Sequence, residues 1–182
     1  ALCDRVAREL ATTGQVQVPT MVLAHAEVQA LPADRQHDPQ FRQAPADVRE
    51  RWNGILATLP AQPSELSMQK WKATLALVAT LHRAGVPLMA GTDAPSPLVY
   101  PGHALHLELA LLVEAGLSPA EALRAATLVP ARYLGIADES GTIAIGKRAD
   151  LVLLDADPLQ NIANTRRIHA VLLGGRAVDS GP

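Results

Sequence analysis

One cysteine, Cys3, is all that the 182 residues contain, so no disulfide framework can hold the chain together. Cys3 reads as a small helix residue. Charge of neither sign prevails: a net charge of -2 provides no basic field for nucleic acid. No apolar run approaches the ~20 residues that span a bilayer. Neither nucleic acid nor membrane is therefore expected as a partner. No signal-peptide pattern opens the chain, and no Met does either. The true N-terminus is read as missing, which leaves a leader open while favouring the cytoplasm. No internal repeat or low-complexity tract stands out. What remains is globular, with 48% apolar and 19% charged residues, and long enough for one ordinary domain with a core.

Leu2, Val6, Ala7 and Leu10 recur at helical spacing before Gly14, which predicts a first helix. Val16 to Leu23 reads as a strand that is irregular or ends near Pro19, because proline removes a ladder hydrogen bond. Residues 31 to 67, with prolines at 32, 39, 45, 60 and 63, read as an insertion holding one or two short helices, one of them around Ala46 to Leu59. Met68 to Arg83 is expected to be a helix packed through Leu75, Val78 and Leu81. A further helix spans Ala104 to Ala115 and stops at Gly116. Ser118-Pro119-Ala120-Glu121 is a capping box with proline at the first helical position. Pro130 opens a short helix that Gly135 closes. Beyond it, Gly141 to Ala144, Leu151 to Asp155, Ala170 to Leu173 and Arg176 to Val178 read as short strands with Gly-rich turns, including Gly174-Gly175. Helix and strand alternate up to residue 135 and short strands dominate afterwards, which predicts a boundary between residues 1–135 and 136–182.

Gly91-Thr92-Asp93-Ala94 carries the chemistry. It follows Val86-Pro87-Leu88-Met89-Ala90, a run too short for a helix and introduced by Gly85, which reads as a buried parallel strand. Asp93 lies one step past its C-terminal end, where an α/β barrel does its chemistry. On the residues alone this carboxylate is either catalytic or a loop cap.

The segments GVPLMAGTDA (85–94), PGHALHLELALLVEAGLSPAEALRAAT (101–127), PARYLG (130–135), GTIAIGKRADLVLLDADPL (141–159) and AVLLGGRAVD (170–179) resemble, in order and spacing, the C-terminal part of the amidohydrolase superfamily, specifically its imidazolonepropionase-like branch. Val18-Pro19-Thr20 is similar to that branch's penultimate barrel strand. The resemblance implies an α/β fold: the last two strands and helices of a metal-dependent (β/α)8 TIM barrel over 1–135, and part of a small β-sandwich domain over 136–182. It implies one or two divalent metals, zinc first among them, and a bound hydroxide that attacks an amide, ester or ring carbonyl. A metal brings the pKa of its water to ~7. Asp93 matches the last-strand aspartate that ligates metal and shuttles the proton from the attacking water to the leaving nitrogen.

Other residues are weighed beside it. His106 matches the helix start of the family's Leu-His-x-Glu-Leu pattern and is either a group supporting the site or a helix histidine tied to a loop. His103 and His106 read as a coincidental pair, because helical zinc pairs more often come as His-x-x-x-His with Glu. Thr92 and Thr20 end strands and either orient neighbours or satisfy backbone. His25 is a candidate for the pocket lining. Glu108 reads as structural. His37, His82 and His169 read as surface or helix histidines, and Trp52, Trp71 and Met68 as core. Lys147 and Asp150 belong to a turn of the β extension, and the paired arginines to solvated faces. The excursion over 31–67 is a candidate lid.

The family pattern also requires His-x-His on a first strand, a carboxylated Lys or a Glu on a middle strand, and two further His; none can be placed here. Val129 stands where the family has Asn before Pro-Ala. Two parallel strands cannot close a barrel and expect cover on both faces. The expectation is a fragment of a metal-dependent amidohydrolase, silent by itself, whose partners are a small amide, peptide-like or ester substrate and the missing half of the barrel or another copy of the chain, with a homo-oligomer possible. The alternatives are a non-catalytic structural or binding fragment, and a mononuclear deaminase of the same superfamily.

Overall fold

The computed structural model describes residues 2–28, 39–58, 60 and 62–178. His37 and part of the 31–67 excursion lie outside them. No helix among the described residues is long and apolar enough to cross a membrane.

Helix α1 (Leu2–Thr13) ends at Gly14, whose φ of 66° suits the left-handed turn that glycine adopts without a Cβ penalty. Ala7 of the predicted face is buried, while Leu2 and Val6 remain exposed. The chain then extends as far as Pro19. Gln17 forms a parallel bridge to Leu88: its N–H donates to the Pro87 carbonyl at 2.9 Å and its carbonyl accepts from Met89 N–H at 2.9 Å. This bridge is what the described residues show of the two predicted strands. The expected strand over Val16–Leu23 is cut short by Pro19 and by Thr20, which takes left-handed geometry with φ 47°, after which Met21–Ala26 is helix α2.

The described residues of the excursion include α3 (Pro39–Gln43) and α4 (Ala46–Leu56). Helix α5 (Glu65–Arg83) starts three residues before the expected Met68, because Ser64 caps it by accepting from Ser67 N–H at 3.0 Å. Val78 and Leu81 bury its inner face and Leu75 packs against the same core. Met68, expected in the core, is exposed. Helix α6 (His103–Glu114) is followed by Gly116, and α7 (Pro119–Ala126) opens on the predicted capping box with both of its hydrogen bonds made. Helix α8 (Leu128–Tyr133) begins two residues before Pro130.

Beyond it, β1 (Leu151–Leu154), β2 (Ile168–Leu173) and β3 (Arg176–Ala177) make an antiparallel sheet in the order β1-β2-β3, with a register shift between Leu153 and Leu154. Gly174 and Gly175, both at positive φ, turn β2 into β3. Gly141 to Ala144, expected as a strand, forms bends and irregular backbone. A 3-10 helix (Ile162–Arg166) between β1 and β2 packs on α6 and sends Ile162 into the main core with Ala104, Leu109 and Leu112. A second core joins the excursion to the segment after Asp93: Phe41, Trp52, Leu56 and Tyr100 are buried together.

Candidate active-site loop

The loop begins where the apolar segment 86–90 ends. Its backbone is held on two sides, by Gln17 at Pro87 and Met89, and by Ala90 N–H donating to the Ala125 carbonyl at 2.9 Å. Gly91 lets this segment run close against the Val18 side chain, which a Cβ at residue 91 would strike. Thr92 is partly buried. Asp93 is exposed and sits at φ 51°, in the left-handed region that Asp tolerates better than most residues. Ser96 Oγ donates to the Asp93 carbonyl at 3.2 Å, and Ser96 bridges Val99. Asp93 is thus carried on a turn braced at both ends and is open to solvent.

The expected neighbours occupy other surroundings. His25, in α2, packs edge-on against Trp71 with ring centroids 5.2 Å apart. Burial holds its pKa below the ordinary histidine value, against the pull of Glu114. His106 lies in the first turn of α6. Burial is the main cause that lowers its pKa, and Arg166 of the 3-10 helix adds to it. Its Nδ1 is buried without a hydrogen-bond partner among the described residues. His103 Nδ1 accepts from Gln40 Nε2 of the excursion at 2.8 Å. His82 stands 3.7 Å from Glu121, and exposed His169 3.0 Å from Asp155. Among the described residues no group of three or more His, Cys, Asp or Glu side chains is placed to hold a metal ion. By themselves these residues do not fit a metal centre; what they offer is one open carboxylate.

Glu108 carries more than sequence reasoning gave it. Its side chain is fully buried, with Oε1 accepting from Met21 N–H at 3.1 Å and Oε2 from Val22 N–H at 2.9 Å. Thr20 makes no side-chain cap on α2, so Glu108 satisfies that helix start from across the core. Burial raises its pKa to about 7, against the two backbone hydrogen bonds that lower it. A signal was available: Glu108 falls on the same helical face as Ala104, Leu111, Leu112 and Ala115, all buried. The aromatic cluster that ties the excursion to Tyr100 had no such signal, because its members lie far apart in the chain.

A model described as the amidohydrolase family matches residues 65–178. An imidazolonepropionase of Cereibacter sphaeroides is 42% identical over 83 residues, covering 44% of this chain and 20% of the relative. An adenine deaminase of Methylobacterium nodulans is 41% identical over 118 residues, covering 63% of this chain and 19% of the relative. A solved amidohydrolase superposes with a TM-score of 0.67 at 27% identity, over 96% of this chain and 37% of that one. The chain thus spans about a fifth of the length of the curated relatives it matches. With well over half of its residues inside the family model, the chain belongs to the amidohydrolase family, in the imidazolonepropionase-like branch of that superfamily.

Proposed function

We propose that this chain contributes the proton-transferring carboxylate of a hydrolase that cleaves C–N bonds in amides, peptide-like amides or cyclic amides. The observation that carries the reading is the position of Asp93, exposed and braced on a turn just past the segment that bridges Gln17. Family membership supports it. In this reading Asp93 accepts a proton from the attacking water and returns it to the leaving nitrogen. Asp93 is also proposed as one ligand of a divalent cation, zinc first, with the further donors coming from outside the described residues. Residues 1–135 are proposed as part of a barrel and 136–182 as part of a small β domain, in the order of the elements described above.

A second reading, hydrolytic removal of an amine from a ring, is favoured by one observation. The adenine deaminase of Methylobacterium nodulans aligns with 63% of this chain. Release of ammonia from an aminopurine, as opposed to opening of a ring amide or cleavage of a chain amide, separates the two.

The test is Asp93→Asn in the whole protein. Activity is expected to fall by at least ~10²-fold with the fold intact, the usual contribution of a positioned proton-transfer group. Turnover within a few-fold of the unsubstituted protein would remove Asp93 from the mechanism, and no hydrolysis of any amide or aminopurine by the unsubstituted protein would overturn both readings.

A further inference from the structure

A cleft of about 480 Å³ opens beside the Asp93 turn, between α2, α4 and residues 96–98. We infer that this cleft selects the substrate by taking a Leu- to Phe-sized apolar group of an amide. The inference rests on the proposed role of Asp93.

Four observations carry it. The cleft is walled by Leu23, Ala26, Ile55, Leu56, Pro97 and Leu98, an apolar lining of the kind that holds a small ligand's apolar part, and its volume lies in the range of such sites. The hydroxyls on its rim are already engaged: Ser64 and Ser67 share a hydrogen bond at 3.0 Å and cap α5, and Ser96 Oγ donates to the Asp93 carbonyl. Among the described residues Glu27 is the one charged residue of the lining. A polar substituent would therefore find few free partners, and an apolar one would displace water from apolar walls.

The wall is also fixed. Leu56 and Leu98 line the cleft and belong to the second core, in which Trp52 stands 6.3 Å from Phe41 and 5.7 Å from Tyr100 between ring centroids. Helices α3 and α4 are thereby anchored to the segment after Asp93. Ser96 is three residues from Asp93, within about 11 Å even if extended, and its bond to the Asp93 carbonyl folds the turn back further. A substrate whose amide meets Asp93 can thus reach the cleft with a neighbouring side group. Ile55, 44% exposed, faces the cleft without a place in either core cluster.

The test measures binding without turnover. The N-acetyl amides of phenylalanine, leucine and glycine are titrated calorimetrically into the whole protein carrying Asp93→Asn, alone and with Ile55→Glu, Ile55→Ser or Ile55→Leu. Hydrolysis of the same three amides is followed with Asp93 in place. The Phe and Leu amides are expected to bind at least ~10-fold tighter than the Gly amide, the scale on which apolar pockets discriminate. Ile55→Glu and Ile55→Ser are expected to remove that preference, and Ile55→Leu to retain it. Equal affinity for the three amides, no binding of any, or a preference untouched by both polar variants would overturn the cleft. Preferential binding without hydrolysis would leave the cleft standing and overturn the hydrolytic reading; hydrolysis without preference would do the reverse.

Discussion

Glu108 is the residue whose chemistry reaches furthest into the fold. Its carboxylate accepts two N–H groups at the start of α2 from within α6, and its pKa rises from 4.5 to about 7. Between those values the folded chain holds a proton that the unfolded chain has lost. Stability from this group is therefore full below about pH 4.5 and declines as pH rises toward about 7, by about 3 kcal/mol from the shift itself. Glu108→Gln is expected to flatten that decline in a series of denaturant titrations across pH. It should also be less stable than the parent at pH 5, because the hydroxyl oxygen of the protonated carboxyl can still accept from the second backbone N–H and the amide NH2 cannot. Glu108→Ala leaves both N–H groups buried and unmade, at a cost of about 2–5 kcal/mol. Parallel pH profiles for the parent and Glu108→Gln would show that the carboxylate does not titrate in this range.

At the scale of elements, the approach of the Asp93 segment to the segment before α2 depends on one missing methyl group. A Cβ on residue 91 strikes Val18 Cγ1, so Gly91→Ala is expected to lower the thermal midpoint by pushing Val18 and the Gln17–Leu88 bridge apart. Adding Val18→Ala removes the struck atom and should recover part of the loss; a double variant no more stable than Gly91→Ala would place the strain elsewhere. Elements governed by local chemistry were legible in the sequence: Ser118 and Glu121 form the capping box that their spacing announced, and Gly174-Gly175 turns the hairpin. The parts settled by distant contacts were not. Met21 to Leu23 has the apolar, strand-like composition of its neighbours, yet it is helical because Thr20 turns left-handed and Glu108, far along the chain, satisfies the N–H groups exposed there. Asp93 reads as a strand-end carboxylate, but among the described residues the segment before it pairs only at the Gln17–Leu88 bridge. The surroundings of His25 and His106 depend on Trp71 and Arg166, which no spacing rule connects to them.

At the scale of the whole molecule, the C-terminal sheet is apolar on both faces. Val152 pairs with Val171 and shares its face with Leu173, at 56%, 36% and 66% exposure, while Leu153 shows 54% on the opposite face. Ile143 and Ile145, in the irregular segment before β1, are almost wholly exposed. A half-buried antiparallel sheet normally alternates apolar and polar residues, with one face in water; here both faces carry the composition of a covered one. Contiguous apolar surface of this kind associates with whatever covers it, and in its absence with itself. The 182-residue chain, expressed alone, is therefore expected to show concentration-dependent association in sedimentation velocity. Val152→Lys with Leu173→Lys places two charges on one face, where they oppose burial against a second copy. That pair should shift the distribution toward monomer while leaving the helical circular dichroism unchanged, since neither residue belongs to the core clusters that pack the helices. A parent chain that stays monomeric at every accessible concentration would show that this sheet does not associate with itself. An association that persists in the double variant would place the contact on another surface.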